Sequence, residues 1–476
     1  MRSWRAPVLV FGASAAVLVL EIIAGRLLAP YVGVSLETFT GIIGTCLAGI
    51  AAGAWLGGNL ADQRDPRHLI GPFLLAGGAL TWLSLPVVAF LGPQLGDGPV
   101  AVVLLTTFGF GAPIVLLSAV APMAAKVRLD SLSETGSVVG GLSAAGTLGA
   151  LAGTFLTGFV AVSLLPSRPI VVVTGALVVA AGVLATLRLG RTRTPTGALV
   201  ALPVLLAGAL VTSGPCEYET SYYCVRIETP ADEPSQRDLY LDRLRHASVD
   251  LEDPDALDIR YIRLFADVVD ALPEGPIDVL HIGGGGFTLP RWIEHVRPGS
   301  TNHVLELDGD LVGIVEGRMG LVLDDSLTVR VGDARLALPE LEASSYDLVV
   351  GDAFAGESAP WHLTTLEVME EIERVLRPGG VYVMNLIDGG SSRLVKAELA
   401  TLARTFEEVG LILPADGIPG DRAVNQVLVA SDAQLPHLAV DPEDGRALGP
   451  TRTQRYAGDA MVLTDDHAPV DQLVLR

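Results

Sequence analysis

Positive charge is scarce in this 476-residue chain: Lys and Arg number 32 against 54 Asp and Glu, a formal net charge of -22. Binding a phosphate backbone needs clustered cations, so nucleic acid is excluded as a partner, and neutral or cationic small molecules fit the balance better. Cysteine is rarer still, at three, and the eight histidines show no metal-ligand spacing. With no paired-cysteine motif either, no metal site is expected. Cys46 lies in an apolar run and reads as a small buried side chain. Cys216 and Cys224 bracket the short polar segment Glu217 to Tyr223. A disulfide there is sterically open and needs an oxidising compartment.

What the chain has in excess is apolar residues, 50% of the total, in a length that suits two or three domains rather than one core. Nearly all the acid lies after residue 216, so the averages mix two unlike halves. Runs long enough to cross about 30 Å of hydrocarbon extend roughly from Pro7 to Leu28, Phe39 to Leu60, Leu69 to Leu91, Val100 to Ala121, Val138 to Leu164, Ile170 to Leu187 and Gly197 to Val211. These predict a transmembrane bundle of about seven helices over residues 1–213, the last so short that six is the other count. The first run is longer than a signal-peptide core and is expected to be retained. Arg2 and Arg5 precede the first run, and Arg64, Arg67, Lys126, Arg128, Arg188, Arg191 and Arg193 occupy alternate loops. The positive-inside rule therefore places the amino terminus in the cytoplasm and everything after Val211 outside, where a Cys216–Cys224 disulfide is stable.

Within the bundle Gly141, Ala145, Gly149 and Gly153 recur at four-residue spacing, which lets helix backbones approach closely. Glu21 and Arg26 are ionisable groups inside a spanning segment, which are expensive and face a partner or a pathway. The plainer reading has Arg26 reaching the outer interface and Glu21 pairing with a neighbouring helix.

A junction and small β element are expected over 214–250, with strand signals from Asp238 to Val249, followed by an α/β domain over 251–476. There short apolar strands alternate with helical stretches, the pattern of a parallel sheet covered by helices. Candidate strands are Ile277 to Ile282, His303 to Leu307, Leu327 to Val331, Leu348 to Val350 and Val381 to Asn385, with a helix from Leu363 to Leu376 ended by Pro378, Gly379 and Gly380. The run Gly283, Gly284, Gly285, Gly286 follows the first strand and opens a helix, a turn in which backbone comes close to a ligand. About 20 residues later Glu306 ends the next strand, placed to accept bonds from ribose hydroxyls, with Asp308 its near competitor. Asp333 ends the third strand on the adenine side, and Asp352 ends the fourth, where a carboxylate projects into the ligand crevice. Asp352 suits a base or cation anchor for an amine attacking an alkyl sulfonium. The late run Leu463 to Pro469 reads as a capped turn closing the sheet.

The stretch from Asp278 to Asn385, with its glycine run, Glu306-Leu307-Asp308, Gly332-Asp333, Tyr346-Asp347 leading to Asp352, and Leu376-Arg377-Pro378-Gly379-Gly380, resembles the spermidine synthases, the polyamine aminopropyltransferases. The whole chain resembles their bacterial membrane-fused version. The resemblance implies a Rossmann-like α/β fold of the S-adenosylmethionine-dependent transferase type in a bacterial cell membrane. It implies transfer of an aminopropyl group from decarboxylated S-adenosylmethionine to a small-molecule amine, and it allows a homodimer. By the same resemblance Glu306 holds the ribose, Asp333 the adenine side, and Asp352 matches the catalytic aspartate, with Tyr261 on the amine side. The chain departs from the pattern at Gly286 and Ala355, where family members carry aspartates that help hold the amine; Glu357 is a substitute anchor in the same loop. Two further readings stay open: methyl transfer from S-adenosylmethionine, and a non-catalytic protein that binds or transports a nucleoside or amine.

Overall fold

The computed structural model describes residues 5–96, 98–129, 135–189, 196–354, 359–419 and 423–474. The chain divides into two compact units, Met1–Cys224 and Val225–Arg476.

In the first unit six helices are long and apolar enough to cross a membrane: Arg5–Val32, Leu36–Gln63, Pro66–Leu95, Pro99–Arg128, Thr135–Leu164 and Ser167–Arg188. The seventh expected run is a helix too, Thr196–Val211, but its 16 residues extend only about 24 Å at 1.5 Å per residue, short of a full hydrocarbon core. Large apolar side chains such as Trp55, Phe90, Phe108 and Phe159 point outward. An apolar exterior of this kind suits lipid and would be a liability in water.

Small residues bring the helices together. A Cβ on Gly149 would lie 2.2 Å from the Phe11 carbonyl oxygen, and one on Gly153 2.5 Å from that of Ala15, so the first and fifth spans meet backbone to backbone. Gly141, expected in the same stripe, has nothing within 4 Å of its Cβ position. Both the fourth and the fifth span contain one wider π turn, Thr107–Gly111 and Thr157–Ala161.

Arg26 does not stand alone. Its guanidinium bonds the Glu219 carboxylate at 3.0 and 3.1 Å, the Thr220 carbonyl at 2.5 Å, the Ser221 carbonyl at 2.9 Å and the Ser167 hydroxyl at 3.3 Å. Glu219 also accepts from the Ser167 backbone amide at 3.0 Å. Glu219 sits in the loop that the Cys216–Cys224 disulfide closes. Glu21, expected to pair with a neighbouring helix, makes no hydrogen bond or ion pair among the described residues and lies within electrostatic reach of Cys46.

The second unit opens on an antiparallel meander. Taking the two-residue strand Tyr218–Glu219 of the first unit as β1, it comprises β2 (Cys224–Glu228), β3 (Gln236–Leu241) and β4 (Leu244–Asp250). The small β element is thus longer than Asp238 to Val249.

An eight-stranded sheet follows: β5 (Asp278–Ile282), β6 (Thr301–Glu306), β7 (Leu327–Val331), β8 (Tyr346–Gly351), β9 (Leu376–Asp388), β10 (Glu408–Pro414), β11 (Val424–Ser431) and β12 (Gly445–Leu448), in the order β12-β10-β11-β9-β8-β5-β6-β7. The five strands from β9 to β7 are parallel, and β11, β10 and β12 are antiparallel. Central strands are continuous apolar runs because helices cover both faces. Phe265, Val268 and Ile293 pack with Val279, Val350 and Val383 on one side. Met369, Ile372, Leu394 and Leu399 pack with Leu280, Val349 and Tyr382 on the other.

The helix expected from Leu363 to Leu376 is shorter, Leu366–Val375, and the strand β9 begins at Leu376 and runs through Arg377-Pro378-Gly379-Gly380. Leu376 pairs with Tyr346, and the Arg377 guanidinium ties Asp347 at 2.5 Å and Asp278 at 2.6 Å. Those bonds hold the segment extended along the sheet.

Candidate active site

From β5 the chain winds outward through β6 and β7, then returns to β8 on the other side of β5. The strand order reverses between β5 and β8, and a crevice opens there at their carboxyl ends. The turn after β5 and the residue after β8 are therefore forced together. Gly283, at φ +99°, is placed where a Cβ would lie 2.5 Å from the Asp352 carbonyl oxygen, so glycine is required by conformation and by space.

Glu306, at the end of β6, is buried and reaches back to that turn. Its Oε2 accepts the Gly284 amide at 2.8 Å and the Gly285 amide at 3.4 Å, and its Oε1 accepts the Asp308 amide at 2.9 Å. Burial raises its carboxyl above the usual range, with the three amides working against the shift. Asp308 has a part in the fold. Its carboxylate caps the helix Gly309–Met319, accepting from the Asp310 and Leu311 amides, and it is buried. Asp333 caps the short helix Ala334–Ala337 by accepting the Arg335 amide at 2.8 Å, and the His362 Nε2 lies 3.7 Å from it.

Asp352 is the centre of the arrangement. The Tyr261 hydroxyl donates to its Oδ2 at 3.0 Å and the Asn385 amide to its Oδ1 at 3.1 Å. Burial pushes the carboxyl up to about 6, the two donors only partly opposing it. Tyr261 is carried on the helix Arg260–Asp270, and burial, then the neighbouring charge of Asp352, holds its phenol well above the usual value. The hydroxyl is thus a lasting donor to the carboxylate, and a carboxyl raised to about 6 is oriented at the mouth of the glycine turn.

The cavity here is lined by the Gly283–Gly286 turn, Asp352, Tyr261, Phe265, His246 and Phe354. His246, contributed by β4, is pushed down to about 4 by burial and is neutral at physiological pH. Sequence reading missed Asn385 and His246 as site residues. Asn385 left a signal, a lone amide inside the apolar run of β9 that must find a partner when buried. His246 left none. Glu357 and Ala355 lie outside the described residues.

Around the site, Asp465 from the late run Leu463 to Pro469 pairs with Arg335 at 2.6 Å and accepts the Thr365 hydroxyl at 2.7 Å. The Leu463 carbonyl accepts the Leu366 amide at 2.9 Å, and Thr464 and His467 close a turn. No group of three or more metal-ligating side chains gathers among the described residues.

Fold and site together describe a transferase of the adenosyl-sulfonium type, with a parallel sheet, a glycine turn, a strand-end glutamate beneath it and an oriented, half-buried carboxylate beside it. No family model matches the chain. It is 28% identical over 212 residues to the polyamine aminopropyltransferase of Vibrio vulnificus, covering 42% of this chain and 70% of that protein. It is 26% identical over 174 residues to the eEF1A lysine and N-terminal methyltransferase of Danio rerio, covering 34% of this chain and 24% of that protein. Among solved structures, a probable spermidine synthase from Corynebacterium glutamicum superposes with a TM-score of 0.50 at 26% identity, over 53% of this chain and 97% of that one. The second unit is spermidine synthase-like.

Proposed function

We propose that the protein is a membrane-bound aminopropyltransferase that moves an aminopropyl group from decarboxylated S-adenosylmethionine to an amine. The observation that carries this reading is Asp352, half-buried and held between the Tyr261 hydroxyl and the Asn385 amide at the crevice edge of β8. The adenosyl group lies along the turn Gly283–Gly286, with the ribose toward Glu306 and the adenine toward Asp333. Asp352 attracts the acceptor ammonium and takes its proton. The freed amine attacks the methylene carbon next to the sulfonium, a carbon–nitrogen bond forms as the carbon–sulfur bond breaks, and the electron pair of the broken bond neutralises sulfur. Methylthioadenosine leaves as a neutral thioether.

The likeness to a methyltransferase favours a second reading, methyl transfer from S-adenosylmethionine in the same cradle. Calorimetry on the full-length protein in detergent separates the two. Decarboxylated S-adenosylmethionine and methylthioadenosine are expected to bind; failure of both, with S-adenosylmethionine bound, sinks aminopropyl transfer.

For topology we propose a cytoplasmic amino terminus and an extracytoplasmic second unit. The charges at Arg64, Arg67, Lys126, Arg128 and Arg188 support it, as does the disulfide between Cys216 and Cys224. The partners of this reading are the lipid bilayer and a small amine.

A further inference from the structure

We propose that Phe287 is a positioning residue for the adenosyl group, a buried ring that fixes the course of the glycine turn from behind. The inference rests on Gly283–Gly286 being the nucleoside cradle of the proposed reaction, whichever group is transferred.

Phe287 stands where a side chain is least at ease. Its backbone lies in the left-handed region, at φ +57°, as the chain passes from the turn into the helix Thr288–Val296. A Cβ crowds the following carbonyl oxygen there, whereas glycine takes the same conformation freely. A position that served only the bend would be served better by glycine. The Phe287 side chain is fully buried, and the apolar area of its ring offsets the strain. Backbone strain held in place by packing beside a ligand crevice points to preorganisation.

The contacts of the ring show what it organises. A Cβ on Gly284 would lie 2.7 Å from the Phe287 Cζ, 2.9 Å from its Cε2 and 3.1 Å from the Val304 Cγ1, so the ring and β6 together fill the space against Gly284. The Phe287 amide donates to the Gly284 carbonyl at 2.8 Å and closes the turn. The residues on either side of Phe287, Gly283–Gly286 and Thr288–Pro290, line the cavity. The Gly284 amide in turn donates to the Glu306 Oε2 at 2.8 Å. A displacement of Gly284 therefore moves the cradle and loosens the carboxylate directed at the ribose together, and Phe287 acts on the nucleoside through both.

Calorimetry on the full-length protein in detergent, with methylthioadenosine and S-adenosylmethionine as probes, reads affinity and the number of sites separately. Phe287→Gly relieves the strain and removes the ring. Phe287→Leu keeps a buried side chain that ends before the Cζ abutting Gly284. Both variants should bind the probes about tenfold or more weaker with the number of sites unchanged, the scale of one lost hydrogen bond to a charged group. Leu402→Ala, which removes buried carbon from the helix Arg393–Thr405, should keep wild-type affinity. A merely structural role for Phe287 gives fewer sites of wild-type affinity. Wild-type affinity in Phe287→Leu, with all sites or fewer, overturns the inference, and this variant decides alone where Phe287→Gly fails to fold. A wild type that binds S-adenosylmethionine but not methylthioadenosine overturns aminopropyl transfer, and Phe287 is then judged on S-adenosylmethionine; one that binds neither overturns both.

Discussion

Replacing Asp352 by Asn should remove activity and make the protein more stable, and the second effect has a size and a pH dependence. The carboxyl titrates at about 6 in the folded chain against 3.8 in an unfolded one, because burial penalises its charged form. A raised folded value means that the folded state binds the proton more tightly. Its contribution to stability is complete below about pH 3.8 and is lost as pH rises through 6. Two pH units at 1.36 kcal/mol each make the loss about 3 kcal/mol at pH 8. Asparagine does not ionise and escapes it. Its amide also finds partners, since the Asn385 Oδ1 is buried without one and becomes an acceptor if that amide turns over.

Thermal unfolding of full-length wild type and variant in detergent, followed by intrinsic fluorescence at pH 8 and pH 5, measures this. The variant should melt several degrees higher at pH 8, with the gain falling to about half at pH 5. Turnover should fall by a factor of about 10² to 10⁴ for a lost general base, and wild-type kcat/KM should drop as pH falls through 6. A variant that binds donor normally but melts at or below the wild type at pH 8 refutes the claim that Asp352 is held charged at a cost.

Glu306→Ala removes the acceptor of three backbone amides. With about 1–3 kcal/mol at stake for each buried donor left unpaired, calorimetry should show donor binding at least tenfold weaker. Gly286→Ala should destabilise by about 1–3 kcal/mol through overpacking against Ala247, and an unchanged melting temperature would show that β4 yields easily. The disulfide closes a separation of 8 residues, worth about 2–3 kcal/mol by loop closure. Cys216 and Cys224 in intact cells should take up an impermeant maleimide only after reductant, and labelling without it would count against an oxidising compartment.

The candidate site residues that sequence exposes are those that sit at strand ends. Gly283, Glu306, Asp333 and Asp352 each follow an apolar run, and in a parallel sheet the carboxyl ends of such runs share one edge whatever the loops do. Partnership across the fold is less legible. Tyr261 and Asp352 are 91 residues apart and meet only because the helix Arg260–Asp270 packs on the sheet at β9 and β11. Asp308 sits two residues from Glu306 with the same charge, yet serves as a cap, because the chain has already left the strand and begun a helix at Gly309. The strand through Pro378, Gly379 and Gly380 is misread for the opposite reason. Those residues stop helices locally, while the pull that extends them, Arg377 on Asp278 and Asp347, comes from elsewhere in the sheet.

Hydropathy leaves the count of crossings at six or seven, and contacts at one end of the bundle bear on it. Arg26 near the end of the first span, Ser167 at the start of the sixth and Glu219 beyond the short helix share one cluster of bonds. The Arg168 guanidinium also reaches the Ala209 carbonyl at 3.0 Å, near the end of that short helix. The sixth span carries the chain from this face to the opposite one at Arg188. The helix Thr196–Val211 must then bring it back, since its last turn lies beside the start of the sixth span. The end that reaches Arg168 is polar in its surroundings, so the unsatisfied carbonyls of its last turn meet guanidinium rather than hydrocarbon. The opposite face carries the ion pair between Lys126 and Asp62 at 2.7 Å, on the ends of the fourth and second spans. The end of Thr196–Val211 beside the start of the sixth span is the arrangement that the proposed outside position of the Cys216–Cys224 loop requires.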